Sequence, residues 1–169
     1  DRLRGLDEYA VEEFSDAGAL ATAVADLVAD GRIVALCVGR SEYGPRALGF
    51  RSILADARDP EVRSKVNRVK RRESFRPFAA SVLADRARAY FEGDVASPFM
   101  SFALPATGLT RERAPGIVHV DGSTRIQTVR ANQSFLARVI KAFDARTGVG
   151  LVLNTSFNLA GEPMVETPQ

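Results

Sequence analysis

A chain of 169 residues with 46% hydrophobic side chains has enough apolar mass for one buried core and is short for two. No run of about 18 apolar residues occurs and no charged-then-apolar leader opens the chain, so neither a membrane span nor a signal peptide is expected and the setting reads as cytoplasmic. The net charge of +2 hides an asymmetry, since residues 1–31 hold eight acids and two bases while the rest holds 13 acids and 21 bases, a balance suited to an anionic partner.

The first predicted element is a helix from Asp16 to Asp30, with Leu20, Val24, Leu27 and Val28 on one side and Gly31 as its stop. "RIVALCV" then reads as a buried strand. Cys37 within it is expected to be a buried strand residue, and being alone it excludes an internal disulfide or a Cys-rich metal cluster. The loop that follows, "GRSEYGPRALG", holds Gly39, Gly44 and Gly49, whose freedom at positive φ lets a ligand approach the backbone. Gly44 and Gly49 have the separation of a phosphate-binding loop, but Phe50 and Arg51 stand where Lys and Ser or Thr are required. Anion binding then falls to arginines, which grip phosphate bidentately and stay charged.

"SILADA" reads as a short strand, Asp59 or Pro60 starts a helix through Arg72, and "PFAASVL" is another strand. Between them, Arg63, Lys65, Arg68, Lys70, Arg71, Arg72 and Arg76 fall within 14 positions. The plain reading is a solvated helix face; the functional one has Lys70 facing a pocket while Arg71 faces water. Arg76, directly before Pro77, is expected in extended backbone with a fixed side chain. Phe75 and Phe78 read as buried, and with no RNA motif present nucleic acid is disfavoured as a partner.

"ADRARAYFE" is helical in composition, "FMSFALP" reads as a strand and "TGLTRERAPG" as a loop. "IVHVDGSTRIQTV" reads as a hairpin turning at Asp121-Gly122, with His119 a hydrogen-bonded strand residue rather than a base or metal ligand. Arg125 beyond the turn either enters a cleft or lies on the surface. A second helix follows, capped by Asn132 or Ser134, striped by Phe135, Val139, Ile140 and Phe143, and stopped by Gly148. Last, the buried strand "GLVL" runs into a loop bearing Asn154, Thr155, Ser156 and Asn158. Without repeats or linkers, residues 1–169 read as one α/β domain, a mixed sheet flanked by helices, with ligands gathered in loops beyond the carboxyl ends of strands. The abrupt ends, "DRLRGL" and "VETPQ", read as edges of a piece of a longer, two-domain protein.

Taken in order, "GRSEYGPRALGFRSILAD", "NRVKRRESFRPFAASVL", "HVDGSTRIQTV" and "LVLNTSFNLAGEP" resemble the carboxyl-terminal domain of the O-carbamoyltransferases of nodulation and antibiotic tailoring. The resemblance implies a YrdC-like α/β fold that binds carbamoyl phosphate and ATP, with Mg²⁺, and forms carbamoyl adenylate with release of pyrophosphate and no protein nucleophile. It also implies an N-terminal domain, absent here, that carries histidine-bound iron or another metal and passes the carbamoyl group to a hydroxyl acceptor; no metal site is expected in this piece. The family's anion site maps onto Arg46, Lys70, Arg76, Arg125, Asn154 and Ser156, with Lys70 and Arg76 as catalytic residues. Glu42, orienting an arginine or helping to hold Mg²⁺, is a further candidate, as are Arg51 and Asn158. Ala80 departs from the family's proline and bears on loop rigidity. A binding module using the basic cleft for nucleotide or RNA is the alternative, and the six site residues together favour catalysis. The acceptor and the oligomeric state, a homodimer included, are left open.

Overall fold

The structure, a computed structural model, describes residues 10–166. Among them, six strands form one sheet in the order β1-β2-β6-β3-β5-β4. These are β1 Val34–Cys37, β2 Arg51–Ala55, β3 Ala79–Leu83, β4 Phe102–Pro105, β5 Ser123–Val129 and β6 Leu151–Ser156. Only β3 and β5 run parallel; every other pair is antiparallel. The mixed sheet with flanking helices matches the expectation.

The two long helices are built alike and pack on each other: α1 (Ala17–Ala29) and α5 (Phe135–Thr147). Asp16 caps α1 by accepting from the N–H groups of Gly18 and Ala19 at 2.6 and 2.9 Å. Ser134, not Asn132, caps α5 by accepting from the Ala137 N–H, and Gly148 ends it at φ +71. Val24 and Val28 of α1 are buried, as are Val139, Ile140 and Phe143 of α5, whereas Leu27, expected inside, is 48% exposed. The buried face of α1 is Ala21, Val24, Ala25 and Val28, which leaves Leu27 to one side of it.

Several expectations are corrected by strand order. β1 pairs only with β2 and lies at the sheet edge, so it is not a buried strand: of its four residues only Leu36 is buried, and Cys37 is exposed. Residues 117–120 form no hairpin arm, because β5 already has β3 on one side and β4 on the other. The turn at Asp121-Gly122 is present, with the His119 N–H bonded to Ser123 O and the Gly122 N–H to His119 O, but Pro115–Ile117 before it is a 3-10 turn. His119 thus lies off the sheet, its Nε2 bonded to Phe78 O at 2.9 Å. "TGLTRERAPG" is not a loop but contains α4 (Gly108–Arg113), nucleated by Thr107, whose hydroxyl accepts from the Thr110 N–H. Single-turn α3 (Ala87–Tyr90) fills the other predicted helix.

The basic helix, α2 (Val62–Val69), stops three residues before the expected Arg72. Lys70 is its C-cap; the Arg71 N–H bonds to Arg68 O and the Arg72 N–H to Asn67 O, with Arg71 at φ +52. This is the Schellman arrangement, formed here without glycine. Ala80 lies inside β3 and is fully buried, so the departure from proline touches a central strand and not a loop.

β1 and β6 run opposite to β3 and β5 or to their shared neighbours, so one margin of the sheet carries the carboxyl ends of β1 and β6 with the amino ends of β3 and β5. The glycine loop, the segment after α2, the start of β5 and the end of β6 all meet there.

Candidate functional site

The glycine loop folds around one carboxylate. Glu42 Oε1 accepts from the N–H groups of Leu48 (2.6 Å), Phe50 (2.9 Å) and Arg51 (3.3 Å), while its Oε2 is buried without a partner. Glu42 therefore orients backbone, not an arginine. Arg51 is buried, and its guanidinium donates to the carbonyls of Val38, Gly39, Phe50 and Val165. It ties the loop to the sheet rather than facing a ligand. Gly39, Gly44 and Gly49 all have positive φ, but a Cβ at Gly49 would stand 2.8 Å from the Leu136 side chain, so this glycine serves packing on α5.

After α2, the buried Asn67 shapes the turn: its Nδ2 donates to Ser74 O and Arg76 O at 3.0 Å, and its Oδ1 accepts from Arg72 Nε at 2.7 Å. Lys70, 2% exposed, sends its ammonium across to β6 and beyond, donating to Ser156 O, to Asn158 O at 2.8 Å and to Asn158 Oδ1 at 2.9 Å. Burial first and Arg72 second push its pKa down to about 8. Arg72 stacks over Phe78 with 4.6 Å from guanidinium carbon to ring centroid. Arg76 is exposed and ion-paired to the equally exposed Glu73 at 2.7 Å, a surface pair that holds it only weakly; Phe75, expected inside, is 74% exposed.

β6 extends further than the pattern implies, and Asn154, Thr155 and Ser156 belong to the strand instead of a loop. Their pairing with β2 continues to Ser156, opposite Ser52. By register, Asn154 and Ser156 of β6, Ser81 of β3 and Gln127 and Arg125 of β5 share one face. Asn154 Nδ2 donates to Ser81 Oγ at 2.9 Å and to Ala47 O and Gln127 Oε1 at 3.3 Å; Gln127 Nε2 in turn donates to Leu48 O. A buried polar trio thus fastens the glycine loop to three strands.

These segments enclose two adjoining cavities. The smaller, about 100 Å³, is lined by Arg46, Arg72, Arg125, Asn154 and Ser156 with Phe78. The larger, about 510 Å³, is lined by Lys70, Arg71, Arg72, Arg76, Ser156 and Asn158. They share Arg72 and Ser156. The smaller holds three arginines and, among the described residues, no carboxylate. Arg125 is half-buried, its Nε has no partner, and burial followed by Arg46 lowers its pKa. Such crowded, unpaired guanidinium groups are a receptacle for phosphate. Of the expected site residues, Arg46, Arg125, Asn154 and Ser156 line the smaller cavity and Lys70, Arg76, Ser156 and Asn158 the larger, while Glu42 and Arg51 support the loop behind. Arg72, central to both cavities, is the residue the sequence pattern does not single out, since only the turn at Arg71 aims it inward.

No group of three or more His, Cys, Asp or Glu side chains is placed to hold a metal ion among the described residues. No described helix is long and apolar enough to cross a membrane.

The fold is that of a YrdC-like α/β domain. Residues 25–169 match the profile described as Carbamoyltransferase C-terminus, and the chain belongs to that family. Nodulation protein NolNO of Sinorhizobium fredii is 46% identical over 154 residues, 88% of this chain and 22% of that protein. Nodulation protein NolO of Bradyrhizobium diazoefficiens is 44% identical over 153 residues, 88% of this chain and 28% of that protein. The chain therefore spans between a fifth and a third of these relatives. Among solved structures, full-length HypF in a phosphate- and nucleotide-bound form matches with a TM-score of 0.63 at 21% identity, over 94% of this chain and 19% of HypF. P. abyssi Sua5 complexed with L-threonine matches with a TM-score of 0.61 at 13% identity, over 90% of this chain and 42% of Sua5. At these identities the likeness is one of fold.

Proposed function

We propose that this chain is the carbamoyl adenylate-forming part of an O-carbamoyltransferase, binding carbamoyl phosphate and ATP in the paired cavities. The observation that carries the reading is the meeting of Arg46, Arg72 and Arg125, from three separated segments, around one small space without a carboxylate. Membership of the carbamoyltransferase family supports a role in carbamoyl transfer.

The chemistry balances with one water. Water releases inorganic phosphate from carbamoyl phosphate and leaves carbamate; a carbamate oxygen attacks the α-phosphorus of ATP, and pyrophosphate departs with the electron pair of the broken P–O bond. Negative charge accumulates on phosphoryl oxygens throughout, and preformed guanidinium groups stabilise it without a protein nucleophile. Mg²⁺, when bound with the nucleotide, neutralises phosphate charge. Transfer to a hydroxyl acceptor then belongs to a metal-containing domain of a longer chain.

Calorimetry with carbamoyl phosphate and with the non-hydrolysable ATP analogue AMP-PNP tests the reading. Both should bind, and Arg46→Ala or Arg125→Ala should each weaken carbamoyl phosphate binding by about 1.5–3 kcal/mol. Labelled pyrophosphate should enter ATP only when carbamoyl phosphate is present. Failure of either ligand to bind at millimolar concentration, or RNA binding in their place, overturns it.

A further inference from the structure

One arginine of the cleft is held in place by groups that the proposed chemistry does not use. Arg72 borders both cavities. Burial first and then Arg76 lower its pKa, Glu73 opposes the fall and Arg125 adds to it. Like charges pressing on a long, flexible side chain favour a rotamer that carries the guanidinium out to water. Arg72 instead lies over the Phe78 ring, 4.6 Å from guanidinium carbon to centroid, and its Nε donates to Asn67 Oδ1 at 2.7 Å.

Asn67, on α2, is fully buried and grips Arg72 at both ends. Its main-chain carbonyl accepts from the Arg72 N–H at 3.1 Å, closing the helix, and its Oδ1 accepts from Nε at the far end of the side chain. The orientation of the amide is fixed by its neighbours. Arg72 Nε can only donate, while Ser74 O and Arg76 O, each 3.0 Å from Nδ2, can only accept. An asparagine that merely shaped the turn would need Nδ2 alone; here Oδ1 is engaged by the arginine. The two terminal nitrogens of Arg72 have no hydrogen-bond partner among the described residues, and unlike Arg125 Nε neither is closed off from solvent.

A guanidinium grips a phosphate either side-on, through Nε–H and one terminal nitrogen, or end-on, through both terminal nitrogens. With Nε–H taken by Asn67, only the end-on fork is left. We infer that Asn67 is a positioning residue that acts through Arg72, occupying its Nε–H so that the terminal nitrogens stand as a preformed end-on fork where the two cavities meet. Arg72 is thereby ordered before the ligand arrives, and binding does not have to immobilise it. The inference rests on the function proposed above, because it takes the ligand to carry a phosphate, and it adds a buried residue that never touches that ligand.

The test is a double-mutant cycle read by calorimetry with carbamoyl phosphate on the 169-residue chain. Asn67→Ala should weaken binding by roughly 2- to 10-fold, the cost of immobilising one rotamer-rich side chain. Made in Arg72→Met, the same change should leave the affinity where Arg72→Met alone puts it, because no guanidinium remains to be aimed. A general loosening of the fold would weaken binding in both backgrounds. Equal weakening in both, or none in either, overturns the inference and leaves the proposed function standing. The wild type gives a second reading that holds even if Asn67→Ala does not fold. In nitrogen-15 NMR the Arg72 Nε–H signal, identified by its loss in Arg72→Met, should exchange slowly with water before any ligand is added. Exchange as fast as that of exposed arginines overturns the inference. If carbamoyl phosphate does not bind the wild type at all, the proposed function falls and the inference with it.

Discussion

Lys70 illustrates how a single charge can act at one remove. Its ammonium is bound to Ser156 O and to both oxygens of Asn158, so it aims the end of β6 at the cleft as well as adding charge there. With its pKa lowered to about 8, it is mostly protonated at neutral pH and loses its proton as the solution turns alkaline. Carbamoyl phosphate affinity, followed by calorimetry, should therefore decline as pH rises through about 8, and the decline should be absent in Lys70→Met. Stability should move the other way. The unfolded lysine, near 10.5, binds its proton more tightly than the folded one, near 8, so this residue's contribution to stability rises with pH between those values. A fall in binding without a fall in melting temperature separates the two effects. Arg51 gives the opposite case, a cation whose role is structural. Arg51→Met should strip four carbonyls of their donor and cost about 3 kcal/mol or more, read from urea denaturation.

At the level of elements, the chain's local signals and its long-range pairing can be told apart. α1 and α5 are legible because a cap, an apolar stripe and a stop are all local in sequence. Cys37 and residues 117–120 are misread because their burial depends on which strands lie beside β1 and β5, and nothing within a strand records its neighbour. α2 is overextended because its terminator is Arg71 at φ +52, a residue that gives no glycine signal. That strain is testable. Arg71→Gly should relieve about 1–2 kcal/mol of left-handed backbone cost, offset by about 0.4–1 kcal/mol from the freer unfolded chain, for a small net gain in the urea midpoint. Phe143→Ala, at a fully buried position of α5 beneath Arg58, should instead cost about 3–5 kcal/mol in the same measurement.

Across the whole molecule, the four motifs were legible as a set, and the structure brings all four to one margin of the sheet. What the sequence could not convey was the division of labour among them. Arg46 and Arg125 reach the small cavity, Arg72 joins it unannounced, and Arg51 and Glu42 stand behind the loop, because those outcomes depend on turns of a few residues and on register. A cleft so rich in guanidinium should be sensitive to ionic strength: raising salt from 50 to 200 mM should weaken phosphate binding by roughly two- to fivefold, with the half-buried Arg125 screened less than the exposed Arg46.

The strand β6 has a consequence for how the chain avoids misassembly. Its residues alternate, with Val152, Asn154 and Ser156 toward the cleft face and Leu151, Leu153 and Thr155 toward the other. A slip of one residue against β2 or β3 would turn the Asn154 amide away from Ser81 and Gln127, into the company of Ile53 and Ala80, with nothing there to bond it. The slipped sheet would thus be penalised by the same amide that fastens the glycine loop in the correct one. A chain that folds out of register dismantles its own arginine cleft, and the cost of burying that amide works as proofreading on the assembly of the sheet.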